Sequence, residues 1–204
     1  MKTIFISLAK DYTDNVQLTN DLWNEIERKY SKSNRHYHTL EHLERLLQEL
    51  HEVQVQIREW NTILFTLFYH DAIYDPLKSN NEEKSADLAE KRLLSLSVPQ
   101  QVISNCKAQI LVTKQHEISA DEDTNYFTDA DLSILGQDWP AYEAYAKNVR
   151  KEYAIYPDLV YRPGRRKVLS HFLQMERIYK TGYFFGKYEA TAKDNLQREI
   201  SLLM

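Results

Sequence analysis

The stretch Trp60-Asn-Thr-Ile-Leu-Phe-Thr-Leu-Phe-Tyr-His-Asp71 contributes most to the fold class that the sequence predicts. Its apolar run is long enough for a core helix, and His70-Asp71 closes that run. A histidine and a carboxylate at the end of a buried helix are costly unless something pairs with them. A divalent cation is one such partner, because it satisfies an imidazole and neutralises a carboxylate together.

Helical periodicity continues through the rest of the chain, and period-two alternation is nowhere sustained. Thr39 and the capping box Ser79-Asn-Asn-Glu82 are predicted helix starts. Gly136 is a predicted C′ residue, and Pro163-Gly-Arg-Arg is expected to open a helix. The pattern predicts an all-α bundle of eight to nine helices, over about 16–30, 40–50, 57–69, 79–96, 98–114, 126–136, 139–156, 167–180 and 189–203.

Length and composition indicate one domain over residues 1–204, with 43 % apolar residues and few glycines or prolines. The 26 basic and 30 acidic residues give a net charge of −4, so we expect no broad attraction to nucleic acid or to an anionic membrane. The single cysteine, Cys106, excludes an intramolecular disulfide framework. Without a signal sequence or an apolar stretch of membrane-spanning length, the chain is expected to be cytoplasmic.

Seven histidines are present, and for any one of them alone an ordinary core or surface role is the better interpretation. His38 and His42 differ, because a four-residue spacing places them on one face if the helix has already begun at 38. The sequence 35–38 is more typical of the approach to a helix, so one of the pair could be a ligand and the other a second contact. Asp129 and Asp131 lie on opposite sides of a helix, and Asp129 could also be a helix-dipole partner.

Taken together, the segments 35–43, 68–76, 81–86 and 128–136 resemble the HD superfamily of metal-dependent phosphohydrolases. They are similar to one poorly characterised bacterial branch, described as predicted metal-dependent HD phosphohydrolases, from about residue 20 to 200. The shared order is a histidine, a His-Asp pair and a later aspartate in an all-α chain. The resemblance implies that the metal ligands are His42, His70, Asp71 and Asp131. The motif Asp-Ala-Asp-Leu favours Asp131 over Asp129.

Other HD proteins place an acidic residue three or four positions after the His-Asp pair, where it positions the attacking water. Here position 74 is a tyrosine and position 75 an aspartate, so Asp75 is the counterpart. Glu82 and Glu83 are alternatives for the general base, and helix capping is an equal alternative for Glu82.

The implied ligand set of imidazoles and carboxylates suits Mn²⁺, Fe²⁺, Co²⁺, Ni²⁺ or Zn²⁺ more than Ca²⁺, and Mg²⁺ is also compatible. The expected function is hydrolysis of a small phosphate ester, such as a nucleotide, by a metal-activated water. The phosphate needs cationic or N–H donors. The candidates for substrate binding are Arg35, His38, Lys114, His116 and Arg165, the last at an expected helix N-terminus.

Two other functions fit the same scaffold. One is a di-iron oxygenase, for which His116 could supply an additional ligand. The other is a non-catalytic module that senses nucleotides. The expected partner is a small phosphorylated substrate, with no extended nucleic acid and no membrane, and the expected state is a monomer or homodimer.

Overall fold

The computed structural model describes residues 1–204 and contains α-helices without β-strands, which confirms the all-α prediction. Ten α-helices are present, slightly more than the eight to nine predicted. They are α1 (Lys2–Lys10), α2 (Val16–Tyr30), α3 (Leu40–Glu52), α4 (Trp60–Tyr69), α5 (Asn81–Ser95), α6 (Gln100–Val112), α7 (Glu122–Asp131), α8 (Trp139–Glu152), α9 (Asp158–Gln174) and α10 (Gly182–Leu202). Short 3₁₀ segments, Gln54–Gln56 and Leu132–Gly136, precede α4 and follow α7.

The chain divides into two compact units, Met1–Phe127 and Thr128–Met204, and the residues of α7 belong to both. The prediction of one domain over the whole chain stays a prediction. None of the ten helices combines the length and the apolar character that crossing a membrane requires.

In the first unit, α4 is the central helix, and it packs against α1, α3, α5 and α6. Every residue from Thr62 to Tyr69 is buried, as expected for a helix that is apolar all round. Helix α1, which the periodicity did not predict, brings Phe5 onto α4, where its ring meets Phe68 edge-on at 5.1 Å. The start of α4 is fixed by the buried Asp123, whose carboxylate accepts hydrogen bonds from the backbone N–H groups of Arg58 and Glu59.

In the second unit, α10 packs against α9 and against the 3₁₀ segment Leu132–Gly136. Asn195 donates from Nδ2 to the carbonyl of Leu135 at 2.9 Å. The helical segment that follows α7 ends at Gly136, as predicted, although no glycine has a positive φ. Glycine is needed there for close approach instead, because a Cβ atom would lie 2.4 Å from the Cβ of Tyr188.

Several predicted helix starts are wrong. Helices α7 and α10 begin at Glu122 and Gly182, four and seven residues before the predicted starts at 126 and 189. Helix α5 begins at Asn81 with Asn80 as its N-cap, so Ser79 lies outside the helix and the predicted capping box does not form. Helix α9 begins at Asp158, nine residues before the predicted start at 167, and contains Pro163 in its interior. Its buried residues Tyr161, Arg165 and Leu169 repeat every four positions across the proline, and this packing overrides the local break signal.

Candidate metal centre

His70 and Asp71 lie at the C-terminal end of helix α4. His70 follows the last residue of α4, is 1 % exposed, and lies with Nδ1 3.0 Å from the carbonyl oxygen of Leu67. A carbonyl can only accept, so this contact assigns the ring proton to Nδ1. The Nε2 atom of a neutral His70 therefore presents a bare lone pair, as an imidazole ligand must.

Helix α3 delivers the second imidazole. The helix begins at Leu40 with Thr39 at the N-cap, which places His42 in its first turn and His38 outside it. The interpretation of 35–38 as the approach to a helix is confirmed. His42 is 3 % exposed, and its Nε2 lies 3.3 Å from the Nε2 of His70.

The Asp71 carboxylate is a further ligand-type group close to His70 in the first unit. Its Oδ2 lies 3.3 Å from the Nε2 of His70 and 3.8 Å from the Nε2 of His38. Two ligands that each lie about 2.1 Å from one ion, at angles of about 90–109°, are about 3.0–3.4 Å apart. The separations from His70 to His42 and from His70 to Asp71 each fall within that range, so each of these two pairs fits a transition-metal ion.

The electrostatics of this cluster also favour a cation. Burial acts to raise the pKa of Asp71, but the imidazoles of His70, His38 and His42, which are positively charged when protonated, hold that pKa well below its ordinary value. Asp71 is therefore ionised at neutral pH. The lone pair of His70 Nε2 faces this carboxylate and the nitrogen of His42, and such lone pairs repel unless a proton or a metal ion lies between them.

Arg35 connects the two segments that carry these residues. Its guanidinium, 5 % exposed, donates to the carbonyls of His38 at 3.0 Å, Asp71 at 2.8 Å and Ala72 at 3.2 Å. The rings of Tyr30 and Tyr74 flank it at 4.9 and 5.4 Å. The sequence indicated a substrate contact, but these partners make Arg35 a positioning residue for Asp71.

His38 and Tyr74 form the partly exposed edge of the cluster. Their ring centroids are 4.3 Å apart, and the His38 side chain is 20 % exposed. His38 is therefore placed where a ligand could reach it, as the sequence indicated. Asp75 is half-buried, but its Oδ1 accepts from the backbone N–H of Leu77 at 2.9 Å, which stabilises the turn after Tyr74.

Glu82 and Glu83, in the first turn of α5, have different surroundings. Glu83 forms an ion pair with Lys114, which also donates to the carbonyl of Ser79 at 2.7 Å. This pairing lowers the pKa of Glu83 and connects α5 to the segment after α6. Glu82 is half-buried, and its pKa is raised by burial and by the charge of Asp71.

Two other predicted contacts lie in surroundings that the sequence did not indicate. His116 is half-buried with φ of 52°, a left-handed conformation typical of the end of a helix. Arg165 is not at a helix N-terminus but inside α9, 8 % exposed, with a two-point ion pair to Glu199. The prediction of an anion site at Arg165 is wrong, because its guanidinium is buried and paired with the Glu199 carboxylate.

The aspartates of α7 have separate roles in the second unit. Asp129 is fully buried and accepts from the backbone N–H groups of Lys180 and Thr181 and from the Thr181 hydroxyl. Asp129 therefore holds the residues that lead into α10, a role similar to the helix-dipole partner that the sequence suggested. Asp131, the last residue of α7, is half-buried.

Comparisons of the chain with protein-family models, with curated proteins and with solved structures give no match. The resemblance to the HD superfamily therefore stays a prediction from the motifs themselves.

Proposed function

We propose that this protein is a metal-dependent phosphohydrolase that acts on a small phosphate ester. The observation that carries the proposal is the arrangement around His70. Its proton is directed to the Leu67 carbonyl, while its bare Nε2 lies 3.3 Å from both His42 Nε2 and Asp71 Oδ2. A buried set of this kind is suited to a borderline divalent ion such as Mn²⁺, Fe²⁺ or Zn²⁺.

Asp131 is proposed as the fourth ligand. Within the first unit, the ring of Phe127 on α7 lies 5.5 Å from that of His70. Asp131 comes four residues later in the same helix, and residues at this spacing share a helix face. The resemblance to the HD superfamily assigns Asp131 to the ligand set, and Asp131 is half-buried at the end of α7.

Hydrolysis also needs a group that accepts a proton from water. A bound divalent ion would supply Lewis-acid chemistry, lowering the pKa of water and stabilising charge on phosphoryl oxygens. We assign the proton acceptor to Glu82 rather than Glu83 or Asp75, because those two carboxylates have the partners Lys114 and Leu77. Its raised pKa makes Glu82 a stronger base than an ordinary glutamate.

Replacement of Asp71 tests the proposal. We expect Asp71→Ala to lose the bound metal and at least 100-fold of phosphatase activity, since the proposed site would keep only one of the two carboxylates that neutralise a divalent charge. The helical fold should remain, because α4 keeps its buried apolar residues. Metal content, circular dichroism and phosphate release from model esters and nucleotides measure the three effects.

Asp75→Asn is the matched control, four residues further along the same segment. Its carboxylate serves the turn at Leu77, so the variant should keep a normal metal content. If Asp71→Ala retained full metal content and activity, Asp71 would be a structural residue and the proposal would fail.

A further inference from the structure

The first two turns of α5 hold the loop that follows Asp71. Ser85 Oγ accepts from the backbone N–H of Ile73 at 3.0 Å and donates to the carbonyl of the same residue at 3.3 Å. Asn81 Oδ1 accepts from the N–H of Asp75 at 3.1 Å, and its Nδ2 donates to the carbonyl of Asp75 at 2.9 Å. Asn81 and Ser85 are four residues apart and therefore share one face of α5. Each of them satisfies both backbone groups of one loop residue.

These four hydrogen bonds join the loop and α5 in one register. Ser85 is fully buried, and a buried hydroxyl or backbone group that loses its partner is costly. A helix that advances by one residue also turns each side chain by about 100°, which would remove both Asn81 and Ser85 from the loop. The hydrogen bonds therefore fix the first two turns of α5 relative to residues 73–75.

Glu82 lies next to this face of α5, one residue after Asn81 and three before Ser85. It is half-buried, and burial together with the charge of Asp71 raises the pKa of its carboxyl group. Glu82 is thus close enough to Asp71 for the two charges to interact. The loop that α5 binds begins two residues after Asp71, so the same hydrogen bonds set the distance between these two carboxylates.

Tyr74 lies between the two loop residues that α5 binds. Its ring is 4.3 Å from the ring of His38, and the Nε2 of His38 is 3.8 Å from Oδ2 of Asp71. All of these residues belong to the unit Met1–Phe127. The hydrogen bonds from α5 therefore hold one side chain at the edge of the candidate centre and another near its Asp71 carboxylate.

We propose that Asn81 and Ser85 are positioning residues, which hold Glu82 in the place where it accepts a proton from the attacking water. This inference rests on the proposed phosphohydrolase function. It gives a role to the rest of the motif 81–86, in which the sequence indicated only the two glutamates as candidates. In this role neither Asn81 nor Ser85 touches the substrate. Position matters because proton transfer needs heavy atoms about 2.6–3.2 Å apart, and a small displacement slows it strongly.

Hydrolysis of p-nitrophenyl phosphate by the Mn²⁺-loaded protein tests the inference. We expect Ser85→Ala to lower kcat at least about tenfold with KM changed less than about threefold, because a displaced proton acceptor weakens only the transition state. The Mn²⁺ content should stay normal. In a Glu82→Gln background, Ser85→Ala should lower kcat by less than about threefold, since the group that Ser85 positions is already lost.

Asn81→Ala should repeat this pattern, and it decides the matter if Ser85→Ala does not fold, as judged by circular dichroism. Alanine is a good helix former, so α5 should remain in that variant. Ser95→Ala is the matched control, because Ser95 is an exposed serine of the same helix whose hydroxyl donates to the Arg92 carbonyl of that helix. It should keep the wild-type kcat.

The possible outcomes separate the inference from the proposed function. Wild-type kcat in the folded variants, or an equal loss with and without Glu82, would overturn the inference alone. Loss of bound Mn²⁺ from both variants would also overturn it, because a general structural role would then account for the lost activity. A wild type without Mn²⁺-dependent hydrolysis would instead refute the proposed function, and the inference with it.

Discussion

At the scale of single residues, the position of one proton organises the candidate centre. The Nδ1–H group of His70 donates a hydrogen bond to the carbonyl of Leu67, three residues earlier in the chain. The ring is thereby fixed with its basic nitrogen towards His42 and Asp71. The sequence shows which side chains are able to bind a metal, but it does not show this backbone bond, which depends on how the end of α4 is built.

Arg35 illustrates the same limit. Its proximity to His38 in sequence indicated a substrate contact, yet its three acceptors are main-chain carbonyls, two of them 36 and 37 residues away. Backbone groups leave no signature in a motif. The sequence therefore predicted correctly that Arg35 lies near the candidate centre, but it could not predict which groups Arg35 binds.

Replacing Arg35 should weaken both the fold and the centre. Arg35→Met keeps much of the apolar volume but leaves the carbonyls of His38, Asp71 and Ala72 without their donor. We expect the free energy of unfolding to fall by about 3 kcal/mol, measured by urea denaturation, and metal affinity to fall with it. Arg28→Met, on the exposed side of α2, should change stability by no more than about 0.5 kcal/mol. Equal stability of the two variants would contradict the positioning role.

At the scale of helices, periodicity predicted most of what the structure contains. Helices α2, α3, α6 and α8 begin within about two residues of their predicted starts. The errors fall where a local signal competes with packing. Ser79-Asn-Asn-Glu82 has the pattern of a capping box, but the loop before α5 is instead held by the Asn81 side chain. Its Oδ1 accepts from the backbone N–H of Asp75, and its Nδ2 donates to the carbonyl of Asp75.

Helix α9 is the clearest case of tertiary packing overriding a break signal. Pro163 cannot donate to the carbonyl four residues earlier, and its ring crowds that turn. The helix continues because Tyr161, Arg165 and Leu169 are buried along one side, and Arg165 is neutralised there by Glu199. The pairing joins residues 34 positions apart, so no local window could reveal it.

Pro163→Ala should therefore stabilise the protein. Proline costs about 3 kcal/mol relative to alanine inside a helix, while the restricted unfolded chain returns about 1 kcal/mol. We expect the free energy of unfolding to rise by about 1–2 kcal/mol in urea or thermal denaturation. Lys167→Ala, later in the same helix and exposed, should have an effect below about 0.5 kcal/mol. A destabilised Pro163→Ala would show that the proline ring makes a packing contribution larger than its helix penalty.

At the scale of the whole chain, the proposed ligands come from distant positions. His42, His70 and Asp71 belong to the unit Met1–Phe127, whereas Asp131 belongs to the unit Thr128–Met204. The sequence motifs predicted this set by resemblance, and the structure adds the distances from His70 to His42 and from His70 to Asp71. Composition predicted the all-α class correctly, but it gave no indication that the chain divides within α7.

Metal binding should therefore stabilise the whole chain against unfolding. An ion that binds only the folded protein adds about 4 kcal/mol at 1,000 times its dissociation constant. For a chain of this size each kcal/mol raises Tm by about 2–4 °C, so Mn²⁺ or Zn²⁺ should raise Tm by about 8–16 °C over the chelated protein. Differential scanning calorimetry with and without chelator measures this shift.

The controls separate a specific site from general ion effects. Ca²⁺ should give a much smaller shift, because two of the proposed ligands are imidazoles and Ca²⁺ prefers oxygen. Asp71→Ala and Asp131→Ala should each lose most of the Mn²⁺-dependent rise, although these residues lie in different units. A rise lost in Asp71→Ala but unchanged in Asp131→Ala would mean that the ion is held within the first unit alone. Because α7 carries Asp131 only four residues beyond the Phe127 ring beside His70, we expect both aspartates to be required.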